Sequence, residues 1–510
     1  MILINPPIIK PSEPPAGIAK LSGTLFANNI KHLLLDASIE GVYYLLNNSP
    51  EPADTWTRRA VRNLSKNLVA LKNMEIYGNI DRYKRTAIDV NRALGYAAAD
   101  RGTQVSLADY LHPVLSPVNK SNLIYAASHP EENPFYPYFA ARLSDLIEGE
   151  GITVAGFSLN YLSQALTAFA MVGFLKREYP QVTVILGGGL TTSWMRNPEW
   201  KNPFIGLKDY CIAGPGELPL LEILGRKALR KAHYCPSYNL LPVKDYLSPG
   251  MVLPYSTSTG CWWGKCSFCP ERAEGNRYTQ IRPDTVIDDL DSLVKHHDPV
   301  LIHLTDNAIS PAILNKIAET PLNAAWYGFT RITPHLADLE FCKALKRSGC
   351  VMLKLGLESG SQKVLDRMNK GCDRATASKV LRSLKEAGIA TYVYLLFGTP
   401  AETLADARMT LDFVVRHADS IDFLNLAIFN LPVNSPEAKD VDTVDFYEGD
   451  LSLYTDFKHT DEWGRRRIRD FLDREFKRHP AIQPILRNNP PFFTSNHAPF
   501  FIIEHCKRAG

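Results

Sequence analysis

The sequence predicts an α/β protein built from two successive series of parallel strands. Short apolar runs alternate with helical patterns along most of the 510 residues, and this rhythm is typical of parallel sheets covered by helices. One group of apolar runs lies before residue 220, and a second group follows a loop that contains three cysteines. We therefore expect two α/β domains, a short linker and a small helical C-terminal region.

The first domain is predicted at residues 1–225. Its candidate strands are 2–4, 33–35, 154–157, 184–186 and 210–212. Between 48 and 149 a polar stretch of helical periodicity breaks the alternation, and we interpret it as a helical insertion. Loops at the carboxyl ends of parallel strands line the ligand crevice of doubly wound sheets, so we expect this domain to hold a large ligand.

A linker at 226–250 precedes the second domain, which is predicted at 251–435. Its candidate strands are 301–304, 326–329, 352–356, 392–396 and 421–424. Helical runs lie between them, which favours a full or partial parallel barrel. Residues 436–510 are polar and then helical, and we predict a C-terminal helical extension there.

The composition restricts the partners and the cellular location that we expect. A net charge of +3 does not indicate a nucleic-acid partner. The sequence shows neither a basic leader nor about 18 consecutive apolar residues, so we expect a cytoplasmic protein without a membrane partner. Nine scattered cysteines do not resemble a secreted disulfide framework, and we expect reduced thiols.

The loop Gly260–Pro270 reads GCWWGKCSFCP and contains three cysteines within nine residues. Structural zinc requires four protein ligands, whereas an iron–sulfur cubane on three thiolates leaves one iron open for a substrate or cofactor. Three incidental core cysteines are disfavoured, because the glycines and proline of this segment mark a loop. Cys261, Cys266 and Cys269 are therefore candidate metal ligands.

This loop resembles the cluster loop of radical S-adenosylmethionine (SAM) enzymes. The first gap has four residues where the family commonly has three, and Gly264 is expected to absorb the extra residue. The resemblance implies a [4Fe-4S] cluster whose open iron binds SAM, and it places Phe268 near the adenine of SAM.

Further motifs match this family in chain order. LTDN at 304–307, which contains Asp306, resembles the acidic motif that follows the second barrel strand. In GLESG the resemblance assigns Glu358 to the SAM ribose, and it assigns Lys370 in RMNKG to the methionyl carboxylate. Gly398 in the GTPAET turn is expected near the adenine. Arg331 lies where many members carry an arginine facing the cavity, and a solvent-exposed salt bridge remains an alternative.

The amino-terminal half is similar to the flavodoxin-like, cobalamin-binding domain of one branch of this superfamily. The matching segments are INPP, LLLDASIEG, GFSLN, ILGGG and GPGE. Gly187, Gly188 and Gly189 would let backbone approach the corrin or its nucleotide tail, and Ser158 can offer a hydroxyl to the tail base. A dinucleotide or flavin could use the same crevice, but G-x-G-x-x-G is absent from the first βα turn, which argues against a dinucleotide.

The Asp-x-His-x-x-Gly loop that ligates cobalt in some cobalamin proteins is absent. The nearest outline, DASIEG at 36–41, has Ser38 in place of the histidine. We therefore expect cobalamin without a protein imidazole on cobalt.

Together, the resemblance implies a flavodoxin-like cobalamin domain followed by a partial (β/α)6 radical SAM barrel. It implies an enzyme that reductively cleaves SAM at a [4Fe-4S] cluster and acts as a cobalamin-dependent methyltransferase on an unactivated carbon. The alternative is a cobalamin-dependent cyclase or ring-rearrangement enzyme without methyl transfer. A non-catalytic cluster carrier is disfavoured, since it would not need Glu358, Lys370 and Gly398.

Partners follow from the same resemblance. We expect a small-molecule or peptide substrate and a reductant such as flavodoxin or ferredoxin. No catalytic side chain is assigned, because the cofactors carry the chemistry.

Overall fold

The computed structural model of the chain describes residues 1–99, 102–227, 233–445, 449–460, 462–492 and 497–502. Two compact units are present. The first consists of Met1–Met251 with two short later returns of the chain, and the second contains most of the remainder. Parts of the predicted linker at 226–250 and of the extension at 436–510 lie outside the described residues, as does Cys506.

The first unit is built on a parallel sheet. Its strands are β1 (Ile2–Asn5), β2 (Leu33–Asp36), β3 (Gln104–Val105), β4 (Tyr110–Leu111), β5 (Val154–Ser158), β6 (Thr183–Gly187) and β7 (Tyr210–Cys211). Five of them form one sheet in the order β2-β1-β5-β6-β7 with every pair parallel. Among the strands of this sheet the order is 2-1-3-4-5, which is the flavodoxin-like arrangement. All five strands predicted before residue 220 are present.

Helices cover this sheet and form the insertion. They are α1 (Ala16–Ala27), α2 (Ala37–Asn47), α3 (Thr55–Arg62), α4 (Leu64–Leu71), α5 (Ile80–Ala97), α6 (Lys120–Ser128), α7 (Tyr136–Glu150), α8 (Leu162–Glu178), α9 (Gly189–Arg196) and α10 (Glu217–Ile223). The stretch between α2 and β5 contains α3–α7 and the antiparallel hairpin β3-β4. Helix α8 packs closely on α6 at Gly173. A Cβ added there would lie 1.8 Å from the carbonyl oxygen of Ala127, so only glycine allows this approach.

The segment before residue 252 also packs in the first unit. Tyr246 Oη donates to Asp36 Oδ2 at 2.7 Å, and Tyr238 is buried. Residues 233–251 are therefore part of the first unit's packing.

The second unit is built on a longer parallel sheet. Its strands are β8 (Val252–Tyr255), β9 (Ser258–Thr259), β10 (Thr279–Gln280), β11 (Leu301–Leu304), β12 (Trp326–Arg331), β13 (Cys350–Glu358), β14 (Ala390–Phe397), β15 (Phe423–Ile428), β16 (Leu431–Pro432), β17 (Thr443–Val444) and β18 (Tyr454–Phe457). Six parallel strands are ordered β15-β14-β13-β12-β11-β8, which follows the chain. The predicted α/β fold with a partial (β/α)6 barrel is confirmed.

The helices of this unit alternate with its strands. They are α11 (Pro270–Ala273), α12 (Pro283–His297), α13 (Pro311–Glu319), α14 (Leu339–Arg347), α15 (Gln362–Arg367), α16 (Arg374–Ala387), α17 (Leu404–Arg416), α18 (Pro436–Lys439), α19 (Arg465–Phe471) and α20 (Gln483–Asn488). The C-terminal region is helical only in part, because the antiparallel sheet β16-β18-β17 precedes α19. Within the described residues, no helix combines the length and apolarity needed to cross a membrane.

Candidate active site

A cavity of about 150 Å³ lies in the first unit, between the sheet and α1 and toward the carboxyl ends of β5 and β6. Backbone and small side chains form much of its wall, including Gly17 and Gly187. Ser158 Oγ lines the cavity and accepts a hydrogen bond from Asn160 Nδ2 at 3.1 Å. Its own hydrogen has no acceptor among the described residues, so it is available to a ligand.

The three consecutive glycines after β6 differ in what they do. Gly188 has φ +100°, and a Cβ there would lie 2.4 Å from the carbonyl oxygen of Leu159. A Cβ at Gly187 would come no closer than 3.9 Å to any neighbour, and this residue lines the cavity. Gly189 begins α9 and is not among the described residues that line the cavity. The chain fold itself therefore requires Gly188, whereas Gly187 leaves space for a ligand.

Histidine is absent from the described residues that line this cavity. His32 is engaged elsewhere, with Nε2 2.8 Å from Ser22 Oγ and Nδ1 2.8 Å from the oxygen of Ile30. In DASIEG, Asp36 caps α2, and Ser38 Oγ accepts from the amide of Ile9 at 2.9 Å. The segment whose sequence resembles a cobalt-ligating loop thus forms the start of α2.

The cysteine loop of the second unit follows β8. Gly260 has φ +71° and Gly264 has φ +60°, and both values favour glycine. At Gly260 a Cβ would also lie 2.8 Å from the oxygen of Arg277. Gly264 lies in the longer first gap, where the sequence predicts that a glycine absorbs the extra residue.

Asp306, which follows β11, anchors the segment that leads into this loop. Its Oδ2 accepts from the amide of Thr257 at 3.0 Å, and its Oδ1 accepts from Thr257 Oγ1 at 2.8 Å and from Ser258 Oγ at 2.5 Å. Burial raises the pKa of Asp306, and these hydrogen bonds oppose that rise. The carboxyl group is therefore held as a fixed acceptor beneath the loop.

The three loop thiols are near one another and shielded from solvent. Cys266 is buried, while Cys261 and Cys269 are half-buried. Burial raises the pKa of Cys269 to about 11, and the neighbouring Cys266 and Cys261 contribute in the same direction. Beside them the hydroxyl of Ser267 is buried and has no hydrogen-bond partner among the described residues.

The donor set suits a cluster better than a single ion. A single zinc ion needs sulfur ligands about 2.3 Å away. No group of three or more His, Cys, Asp or Glu side chains in the described part of the chain is arranged to hold one ion. Iron–sulfur clusters are held by cysteine thiolates, so the chemistry of three thiols in one loop suits a cluster. All eight described cysteines are free of disulfides.

Arg331, the last residue of β12, reaches this loop. Its side chain is buried, with Nη1 3.6 Å from Cys266 Sγ and Nη2 donating to the backbone oxygen of Lys370. The guanidinium carbon lies 4.5 Å from the ring centroid of Trp263 and 5.7 Å from that of Trp262. The alternative of a solvent-exposed salt bridge is wrong for this residue.

Glu358 and Lys370 form a buried ion pair at the end of β13, with 2.7 Å between Oε1 and Nζ. Glu358 has φ +68°, next to an irregularity in the pairing of β13 with β14. Such a conformation costs a non-glycine residue about 1–3 kcal/mol and is common at binding sites. Lys370 Nζ also lies 5.7 Å from the ring centroid of Phe268. Phe268, Glu358 and Lys370 are thus brought together.

Gly398 lies in the turn after β14 with φ +82°. This φ favours glycine, and a Cβ there would lie 2.5 Å from Ile468 Cδ1, the end of a flexible side chain of α19. The Gly398 amide donates to Glu402 Oε2, which also accepts from Trp463 Nε1 at 3.0 Å. Gly398 therefore joins the turn to the C-terminal helices.

Residues 255–414 match the family model of the radical SAM superfamily. Over these residues the chain is similar to the radical SAM superfamily.

Two curated relatives are each similar to part of the chain. An uncharacterized methyltransferase of Pyrococcus horikoshii is 27% identical over 191 residues, which are 35% of this chain and 40% of that protein. The anaerobic magnesium-protoporphyrin IX monomethyl ester cyclase of Rubrivivax gelatinosus is 29% identical over 204 residues, which are 38% of this chain and 35% of that protein. The match thus spans less than half the length of either relative.

A solved structure matches over more of the chain. It is the radical SAM methyltransferase TsrM from Kitasatospora setae with cobalamin and a [4Fe-4S] cluster bound. The TM-score is 0.51 at 16% identity, and the match covers 86% of this chain and 77% of that one. At this identity the likeness establishes the fold.

The second unit also contains a buried polar group that no motif in the sequence indicated. His303 and Tyr327 stack at 4.4 Å between centroids, and Lys354 Nζ lies 3.3 Å from His303 Nε2. These residues belong to the neighbouring strands β11, β12 and β13. A lysine inside the apolar run MLKLGL was the signal available in the sequence.

Proposed function

We propose that this chain is a radical SAM enzyme that uses cobalamin to methylate an unactivated carbon. The observation that carries the proposal is the arrangement at one end of the second sheet. There the thiols of Cys261, Cys266 and Cys269 lie near one another, and the buried Glu358–Lys370 pair contacts Phe268 of the same loop. The relatives named as methyltransferases support the type of reaction.

The cofactors define the chemistry available. When bound, a [4Fe-4S] cluster supplies the electron for reductive cleavage of SAM, and cobalamin carries the methyl group. The three thiolates would hold the cluster. Ser267, whose buried hydroxyl has no partner among the described residues, can donate or accept a hydrogen bond beside it.

Glu358 and Lys370 suit the two polar ends of SAM. The Lys370 ammonium has three hydrogens, of which one is directed to Glu358, so others can bind the methionyl carboxylate. A carboxylate has about four acceptor positions, so Glu358 can accept from ribose hydroxyls while it keeps Lys370. Mutual pairing also keeps both side chains in place before the ligand arrives.

The cavity of the first unit suits the base of the cobalamin tail. Its glycine surfaces leave room for a flat ring, and the Ser158 hydroxyl can donate to a ring nitrogen. Because the sequence has Ser38 where a cobalt-ligating loop would have histidine, we propose that no protein imidazole binds the cobalt. The spectrum of the cob(II)alamin form should then lack nitrogen hyperfine splitting, and strong splitting from one axial nitrogen would contradict this part of the proposal.

The decisive experiment uses the reconstituted full-length chain under anaerobic conditions. With a chemical reductant, SAM labelled in its methyl group and an extract of the native organism, we expect 5′-deoxyadenosine and a labelled product. Cys266→Ala protein is the control and should form neither. Cluster-loaded, reduced protein that forms no 5′-deoxyadenosine would refute the proposed cleavage of SAM.

A cyclase or ring-rearrangement reaction without methyl transfer is the second candidate, favoured by the relative named as a cyclase. Product mass separates the two. A gain of one methyl group supports the methyltransferase, and a cyclised product of otherwise unchanged carbon content supports the alternative.

We further propose a flavodoxin or ferredoxin as the electron donor, because the cluster must be reduced at low potential. A small-molecule or peptide substrate and a cytoplasmic location complete the proposal.

A further inference from the structure

We propose that Arg331 is a positioning residue that raises the reduction potential of the cluster held by Cys261, Cys266 and Cys269. The inference rests on the proposed function, since it requires that these cysteines bind a [4Fe-4S] cluster. It concerns a residue that the cluster motif does not contain.

The Arg331 guanidinium is a buried cation whose contacts are a sulfur, a carbonyl and two aromatic rings. Only 4% of Arg331 is exposed, and no carboxylate lies within 4 Å of its guanidinium among the described residues. Nη1 points to Cys266 Sγ at 3.6 Å, and Nη2 donates to the oxygen of Lys370. A buried charge without a counter-ion is costly. The negative charge of thiolates that bind a cluster would compensate this cation.

The two tryptophans of the loop hold the guanidinium in place. Trp263 lies 4.5 Å below it and Trp262 lies 5.7 Å away, and their rings are inclined by 80° to each other. Trp263 is itself fixed, because Nε1 donates to the oxygen of Asn369 at 3.1 Å and its ring packs on Gly371. Trp262 and Trp263 of the cysteine loop thus hold the Arg331 guanidinium by contacts with both rings.

This position favours the reduced cluster. Reduction adds one negative charge, and a nearby cation that also donates to a ligand sulfur stabilises the more negative state. The low dielectric of a buried site strengthens the effect, whereas an exposed cation is screened by solvent. Lys265 is next to Cys266 in the same loop and is exposed, and its Nζ lies 4.9 Å from the centroid of the same ring, Trp263, so it provides the exposed comparison.

The test is an EPR-monitored redox titration of the full-length, iron- and sulfide-reconstituted protein without SAM. Wild type is compared with Arg331→Met, Arg331→Lys and the matched control Lys265→Met. We expect Arg331→Met to lower the ratio of reduced to oxidised cluster at a fixed potential by about tenfold, which corresponds to about 59 mV for one electron. Arg331→Lys keeps the positive charge but lacks the planar guanidinium, so its cluster should have a reduction potential between those of wild type and Arg331→Met. Lys265→Met should match wild type.

Each outcome of the titration supports or contradicts the proposed effect of Arg331 on the reduction potential. Equal potentials in wild type and Arg331→Met overturn it, and so does an equal shift in Lys265→Met, which would indicate net charge alone. Folded Arg331 variants that take up no iron would assign Arg331 to cluster assembly and overturn the proposed tuning. Wild-type protein that binds no cluster refutes the proposed function and this inference together. Wild type that binds a cluster without cleaving SAM refutes only the function, since the potentials remain comparable.

Discussion

Glu402 offers a quantitative test of how the turn after β14 is held. Only 5% of this residue is exposed, and Oε2 accepts from the Gly398 amide and from Trp463 Nε1. Its other oxygen, Oε1, is buried and has no hydrogen-bond partner among the described residues. Burial raises the pKa of Glu402 to about 7, although both donors act to lower it. A carboxyl group in this position binds its proton more tightly when the protein is folded.

The size and sign of the effect follow from linkage. A rise from the ordinary value of 4.5 to about 7 corresponds to about 3.5 kcal/mol, at about 1.4 kcal/mol for each pKa unit. The stabilisation by the protonated form is complete below about pH 4.5 and is lost as the pH rises through 7. Glu402→Gln keeps an oxygen for both donors and carries no charge, so it should lack this loss.

The assay is thermal unfolding of wild type and Glu402→Gln at several pH values between 5 and 8. A change of 1 kcal/mol moves Tm by about 2–4 °C in a unit of 150–250 residues. About 2.5 kcal/mol of the stabilisation is lost between pH 5 and 8, so the variant should gain up to about 5–10 °C over wild type across this interval. Trp463→Phe removes one donor that lowers the pKa of Glu402. The pH range over which the stabilisation is lost should therefore move to higher pH. A Tm difference that stays constant from pH 5 to 8 would refute the reasoning.

Three further outcomes are expected. Cys266→Ala should lose most of the iron and visible absorbance of the reconstituted cluster, whereas the buried Cys342→Ala should keep both; equal losses would contradict the ligand assignment. Gly188→Ala should lower the free energy of unfolding by at least about 1–3 kcal/mol, because of its φ and its contact with backbone, while Gly187→Ala should fold normally and retain less cobalamin. Asp306→Asn should lower Tm and slow cluster uptake, because hydrogen bonds to a charged acceptor contribute about 1.5–3 kcal/mol each; unchanged uptake would show that the loop does not depend on this anchor.

The sequence alone determined the two parallel sheets. Strands covered by helices on both faces read as short apolar runs, and β13, with every residue buried, is the clearest case. The strand β8 was missed because it contains Pro254, which is tolerated there at the sheet edge. The strands β16 and β17 have two residues each, too few to show a period.

Part of the candidate site was also predictable. Cys261, Cys266 and Cys269 are close in the chain, so their spacing limits their separation in space. Glu358 and Lys370, twelve residues apart, were assigned by motif order, and their mutual ion pair was not expected.

Only the tertiary structure decided the contacts between distant segments. Arg331 meets Cys266 across 65 residues, and Glu402 meets Trp463 across 61. Gly398 lies against Ile468, a side chain of α19, and no pattern around the turn reveals that contact. Local periodicity records which face of an element is buried, because burial and backbone hydrogen bonding act residue by residue. Which buried groups then touch depends on how whole elements pack, and that packing brings together residues whose chain separation carries no information about their distance.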